Sequence, residues 1–399
     1  MVGSRACLGV LMVGLLTGPA WGQEPPSTPQ IHGFVSQGYI KTSKNNYLAE
    51  TARKQGSVDF SEVGLNFTQQ LSPELRVGVQ LFAHDLGPLG NYAPQLDWYY
   101  LDYRFFEWLG VRAGKTKLPW GLYNESNDID AGRVPILLPQ SVYPVASRES
   151  LFAQTGAELY GDISLGEAGA LEYRAYAGTI FVNGVDASIQ FRGFDVPYDA
   201  GGRLTWSTPL DGLQLGASAQ FMRFDFEFQP TPAQRAAYEA DGQLPSDFSG
   251  EVWAKAPIKL WVASAEYQRD GLWLAAEYGR TYGSYETNLV LPRSSVENRG
   301  GYVMASYQVA PWFTPGVYYS AAFYDVEATL PAGTDSRGTF QHDVAVTLRY
   351  DLTPNWLLKL EGHYMHGTGV LQSQLNDNRR LSELTKDWGV FVAKTTAYF

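Results

Sequence analysis

The sequence predicts an all-β fold, a transmembrane antiparallel up-and-down β-barrel of about 16 strands, and three observations predict it. Segments of about 10 residues with period-two alternation follow one another along the chain. The connections between them alternate between short turns and long polar loops. The composition has 25 Tyr, 11 Trp and 41 Gly with 14% aromatic residues, and past the N-terminal segment no stretch is apolar for even 15 residues. A membrane-crossing helix needs about 20 apolar residues, whereas a barrel strand needs only one apolar face.

Taken in order, Arg5 precedes an apolar stretch from Ala6 to Leu16, then Gly18-Pro19 and the small-x-small site Ala20-Trp21-Gly22. This is the pattern of a signal peptide, residues 1–22, cut before Gln23. Cys7, the one cysteine, leaves with it, so the exported chain has no disulfide. Removing Arg5 takes the net charge from −11 to −12, and an acidic chain without a basic run argues against nucleic acid. A short Pro-rich leader, 23–30, separates the signal from the barrel domain, 31–399.

Strands are expected to begin near Ile31, Val58, Leu75, Pro94, Leu109, Gln154, Ala170, Tyr198, Leu213, Pro257, Leu272, Arg299, Thr314, Phe340, Asn355 and Trp388. Short turns fall at 72–74, 106–108, 166–169, 208–212, 270–271, 311–312 and 353–354, each with Pro, Gly, Asp or a bulky aromatic suited to a reversal. Long connections fall at 42–57, 86–93, 117–153, 183–197, 228–256, 285–298, 327–339 and 367–387. Alternating short and long connections belong to an even-stranded barrel with both termini on the side of the short turns. In the third strand Val77, Val79, Leu81 and Ala83 oppose Arg76, Gly78, Gln80 and His84. In the seventh Leu171, Tyr173, Ala175 and Ala177 oppose Glu172, Arg174 and Tyr176. The first set would meet lipid and the second a water-filled lumen, where ionised side chains stay solvated. Trp98, Tyr99, Tyr103, Phe105, Trp108, Trp206, Trp273, Trp356 and Trp388 would form interfacial girdles. The last strand ends on Phe399 with small, apolar or aromatic residues at every second position. It resembles the signal by which bacterial outer-membrane barrels are recognised for insertion.

The connection after the fifth strand, about 117–153, is the longest, and a loop of that length is usually functional. Its apolar stretches 134–139 and 142–145 would be costly in free water, so it is expected to fold into the lumen as a constriction. The candidate constriction and pore-lining residues are Lys117, Glu125, Asp128, Asp130, Arg133 and Arg148 of this loop, with Glu149, and Arg104, Arg112 and Arg174 of the wall. Opposed charges across a pore make a field that orients dipolar solutes and sets ion preference. The wall carries further inward candidates: Arg76, Arg203, Arg349 and Lys359 against Asp102, Glu158, Asp162, Glu172, Glu266, Glu277, Asp343 and Glu361.

Gly114-Lys115-Thr116-Lys117-Leu118-Pro119-Trp120-Gly121-Leu122, after the Tyr-rich 96–103 and before Asn127-Asp128-Ile129, resembles the Gly-x-x-Lys-x-Pro-aromatic-Gly-Leu segment of the phosphate-selective porin O and P family. That resemblance implies a trimeric, 16-stranded outer-membrane channel in which Lys117, Pro119 and Gly121 begin the constriction loop. Phosphate selectivity in that family depends on dense rows of Lys and Arg, and this chain has none.

No catalytic residue, metal site or cofactor is expected. Gly110 to Thr116 is one residue short of a phosphate loop and lies on a strand. His363 and His366 fall on opposite faces of a strand, and Glu361 and His363 share one face without a third ligand. There is no Gly-x-Ser-x-Gly. A receptor or adhesin role would need a rigid surface on 225–251, where Pro230, Pro232, Gln234, Gln243 and Pro245 suggest mobility. A barrel-embedded hydrolase is the remaining alternative. The expectation is a passive diffusion channel for ions and small hydrophilic solutes, integral to the outer-membrane bilayer and homotrimeric.

Overall fold

The computed structural model describes residues 28–52, 55–87, 90–145, 148–181, 191–290, 295–325, 336–372, 374–376 and 384–399. The expected signal peptide and most of the expected leader lie outside them. Sixteen long strands make one closed antiparallel barrel: β1 (Gln30–Thr42), β2 (Phe60–Gln70), β3 (Leu75–Leu86), β4 (Gln95–Phe106), β5 (Leu109–Lys117), β6 (Ala153–Ser164), β7 (Ala170–Thr179), β8 (Phe191–Ser207), β9 (Leu213–Phe228), β10 (Val252–Arg269), β11 (Leu272–Ser284), β13 (Ser295–Tyr307), β14 (Phe313–Phe323), β15 (Phe340–Thr353), β16 (Trp356–Gly367) and β17 (Asp387–Tyr398). The two-residue β12 (Glu286–Thr287) lies between β11 and β13 and pairs with Ala254 and Lys255 of β10. Each long strand pairs with its sequence neighbour, and β1 closes on β17 from Phe34↔Tyr398 to Thr42↔Val390. The terminal Phe399 exchanges backbone hydrogen bonds with Gly33 at 3.0 and 3.1 Å. Closure leaves no unpaired sheet edge, the condition for placing β structure in lipid.

The seven short turns lie where proline, glycine and aromatic residues predict them. The largest differences are earlier starts: β8 at Phe191 rather than Tyr198, β10 at Val252 rather than Pro257, and β13 at Ser295 rather than Arg299. The register of β8 on β9 slips between Asp195 and Tyr198, so period two is broken there, and Pro197 and Pro257 look like strand ends in sequence. The connection 229–251 contains a helix, Pro232–Ala240, where the prolines suggested mobility. Its start is a capping box: the Gln234 amide donates to Thr231 Oγ1 at 3.3 Å and the Thr231 amide to Gln234 Oε1 at 2.9 Å, with Pro232 in the first turn.

The faces alternate as the pleat requires. Leu81, Leu101, Leu159, Leu204, Val303, Val317 and Val346 are exposed on the outer wall, while Gln80, Glu158, Tyr176, Ser218 and Thr347 are buried inside it. Tyr103, Phe105, Phe106, Trp108, Trp206, Trp312 and Trp356 are exposed near the short-turn end, where Phe106 stacks on Trp108 at 5.4 Å. Three girdle assignments change. Trp388 is 2% exposed and packs on Tyr47 inside the barrel. The Trp273 indole donates to the lumen-facing Glu266 at 2.7 Å, and Trp98 stacks on Tyr100 below Lys117. Each falls on the inward phase of its strand, which outweighs the preference of Trp for the interface.

Candidate functional site

The connection 118–152 folds into the barrel. Gly121, with φ +55°, turns it inward; a β-carbon there would lie 2.3 Å from Tyr143 Oη and 2.7 Å from Glu277 Oε1, so only glycine fits. The Asn124 amide donates to Leu118 O and Leu151 O, both at 2.9 Å, and staples the two legs together. Between the legs two short 3-10 turns, Asn124–Ser126 and Asp130–Gly132, shape a strap with few backbone bonds of its own. The wall supplies the missing partners.

On the β15–β17 side, Lys359 Nζ donates to Asp130 O at 2.7 Å, Asp130 Oδ1 at 3.0 Å and Arg133 O at 2.9 Å. Thr396 donates to the other Asp130 oxygen at 2.8 Å. Arg349 binds Ala131 O and Arg133 O. Glu361 accepts the amides of Ile136 and Leu137 at 2.7 and 2.9 Å, and is held from behind by Thr347 and His363. Both ring nitrogens of His363 face carboxylates, Asp343 and Glu361, each at 3.0 Å, so the ring bridges the two. On the β10–β13 side, Glu277 accepts from Leu122 N, Tyr143, Ser264 and Tyr302. Ser141 bonds Gly301 O and Ser320.

The opposite wall is held by charge. Lys117 pairs with Asp128 at 2.6 Å and donates to Glu125 O at 2.7 Å. Gln80 also donates to Asp128. Arg148 bonds both oxygens of Asp97 at 3.0 Å while lying over Phe82 and Phe152. Glu125 bridges Arg174 and Arg203. Arg174 reaches Glu158 at 2.6 Å, which binds Arg112 at 3.0 Å. Arg104 pairs with Asp162 nearer the short-turn end. Asp130 is held well below the ordinary carboxylate range: desolvation pushes it up, but Lys359, Lys394 and Arg133 outweigh that. Desolvation likewise pushes Asp128 up and Lys117 brings it below its ordinary value. Burial and the adjacent Glu277 raise Tyr143, which remains a donor.

The structure thus brings the candidates Glu125, Asp128, Asp130, Arg133 and Arg148 of the connection into contact with the wall, which contributes Lys117, at the end of β5 rather than in the loop, and Arg174, with Arg112 joined to them through Glu158. The side chain of Glu149 lies outside the described residues. The expected solvation does not hold for three of them: Asp128, Asp130 and Arg133 are at most 4% exposed. Apolar clusters complete the packing. Ile136 and Leu137 pack with Ile40, Leu48, Met365, Leu384 and Val392. Trp120, Tyr123, Leu138 and Val142 pack on Met222, Val262 and Tyr302, and Leu118 packs on Tyr176, Ile180 and Val196. A strap this apolar on its flanks and this charged along its backbone packs against the wall on several sides rather than hanging free in the lumen.

Sequence reasoning missed the wall partners Gln80, Asp97 and Thr396 and the bundle of donors on Glu277. Their inward phase was legible; which loop atom each meets was not. Charges that stay partly exposed inside the barrel are Glu125 of the strap, at 33% of its side chain, and Glu172 and Asp162 of the wall, at 43% and 57%.

No protein-family model matches the chain, and no curated protein matches it in sequence. Solved structures with the same architecture include outer-membrane expressed OmpT of Vibrio cholerae, TM-score 0.59 at 12% identity, covering 93% of this chain and 97% of that one. The anion-selective porin from Comamonas acidovorans gives 0.57 at 11%, covering 93% and 99%. The outer membrane channel DcaP of Acinetobacter baumannii gives 0.50 at 12%, covering 93% and 97%. At such identities the likeness is one of fold, and with a closed wall of sixteen long strands it makes this chain an integral outer-membrane β-barrel on the plan of porins and channels.

Proposed function

We propose that the barrel is an outer-membrane channel through which ions and small hydrophilic solutes diffuse without chemistry, with the 118–152 strap governing passage. The observation that carries this reading is the charged inner surface below the strap, where Arg76, Arg104, Glu172 and Asp162 keep a quarter or more of their side chains in water. A barrel serving only as a scaffold has no use for ionised groups kept hydrated inside a membrane. The folds of a named porin and a named channel support the same class. The resemblance of 114–122 to the phosphate-selective porin O and P family adds a homotrimer to the proposal, to be checked by the mass of the detergent-solubilised complex.

The test is single-channel conductance of the refolded protein in a planar bilayer, with reversal potential across a KCl gradient. Stepwise conductance, in the wild type or after the strap is shortened between Tyr123 and Tyr143, is the expected result. A folded barrel that stays silent in both forms overturns the channel reading and turns attention to the receptor and hydrolase alternatives.

A further inference from the structure

Arg174 on β7 and Arg203 on β8 stand directly opposite each other in the sheet register, both pointing into the lumen. Like charges at that position repel, and only an anion between them makes the pair tolerable. The wall supplies part of the compensation, since Arg174 binds Glu158 at 2.6 Å and Arg203 binds Glu172 at 3.0 Å. The space between them is filled by Glu125 of the strap, one oxygen on each guanidinium, with the Arg203 contact at 2.8 Å. Donors still exceed acceptors there: the Nε atoms of Arg112, Arg174 and Arg203 are buried with no hydrogen-bond partner among the described residues.

Charge arithmetic describes what the seat accepts. The wall network holds four arginines, 76, 112, 174 and 203, against three carboxylates, Asp102, Glu158 and Glu172. Without Glu125 one positive charge is uncompensated, the complement of a single monoanion. Two guanidiniums presented to the two oxygens of one planar group fit a carboxylate. Among the strap carboxylates whose side chains are described, Glu125 is the most exposed, at 33% against 0% for Asp128 and Asp130.

We propose that Arg174 and Arg203 form a binding seat for a small carboxylate solute, and that Glu125 is a built-in competitor that occupies this seat and latches the strap across the lumen. A carboxylate arriving through the lumen exchanges with Glu125, releasing the strap on the β7–β8 side. The apolar clusters and the Lys359, Glu361 and Glu277 contacts hold it elsewhere, so the movement is local. The seat stands on its own geometry; its part in transport rests on the channel reading.

The experiment is calorimetric titration of the detergent-folded barrel with acetate, and with phosphate for comparison, run beside bilayer conductance in the same acetate solutions. Removing a tethered competitor raises apparent affinity by about tenfold or more, so E125A is expected to bind acetate that much more tightly than wild type. E125Q should do the same where E125A fails to fold, and E125A combined with R203Q should lose the gain. Equal acetate binding by wild type and both Glu125 variants, in barrels that conduct, overturns the seat and leaves the channel. Phosphate bound more tightly than acetate overturns the carboxylate assignment. A gain in acetate binding without conductance in any variant upholds the seat and removes the channel.

Discussion

Lys359 and Asp130 meet at 3.0 Å with both side chains fully buried, one on the barrel wall and the other 229 residues away in sequence on the strap. Burial of two ions is tolerable because each is saturated: Lys359 also holds two loop carbonyls, and Asp130 also receives Thr396, with Lys394 at 3.5 Å. Removing one partner strands the other in a medium that cannot hydrate it. Lys359→Met is therefore expected to destabilise the folded barrel by about 3–5 kcal/mol, read from urea unfolding in lipid. Lys359→Met with Asp130→Asn should recover part of the loss; additive losses would show that the two do not act as a pair.

Gly121 carries a second constraint. Any side chain at φ +55° is strained, and here the β-carbon also meets the Tyr143 hydroxyl and Glu277. Gly121→Ala is expected to cost about 1–3 kcal/mol and to lift the first leg of the strap from Glu277. Thermal melting reads the first effect and an increase in single-channel conductance the second. A variant that melts and conducts like wild type would mean the strap does not pivot on this turn.

How far the sequence reached follows from which forces act locally. Strand count, turn positions and the loop's entry into the lumen were legible because each rests on neighbours in sequence: period two, Pro-Gly-Asp turns, and apolar stretches such as 134–139 that cannot lie in water. The state of the charges was not. Asp130, Lys359, Glu361 and His363 all show the inward phase, but hydrated wall and buried network differ only in whether 118–152 touches every sector, a relation between residues far apart in sequence. The helix Pro232–Ala240 was missed for a different reason, since Thr231-Pro232-x-Gln234 is a local start signal that the surrounding prolines obscured.

The outer wall yields a prediction independent of the lumen. Val303 is 58% exposed on the lipid-facing side of β13, where an apolar residue is required only if a bilayer covers it. Val303→Arg is expected to destabilise the barrel by about 2–4 kcal/mol in lipid, while Val303→Leu should be close to neutral. Unfolding of both in vesicles checks this. An arginine tolerated there without loss would place Val303 outside the hydrocarbon band.

Glu125 links the strap to pH with a defined sign. Desolvation pushes its carboxyl up, but Arg174 and Arg203 prevail and hold it down at about 2, against an ordinary value of 4.5. A carboxyl whose value is depressed on folding contributes stability that is complete above its ordinary value and is lost as pH falls through the folded one. The stability that the latch contributes should therefore be complete at neutral pH, shrink below about 4.5, and be mostly lost near 2. The measurement is the melting temperature of wild type minus that of Glu125→Gln from pH 7 down to pH 2. The difference should be flat to about pH 5 and shrink toward zero at the acid end, because the glutamine has no proton to gain. A difference that survives unchanged at the lowest pH would assign the Glu125 contribution to packing rather than to its charge on the paired arginines.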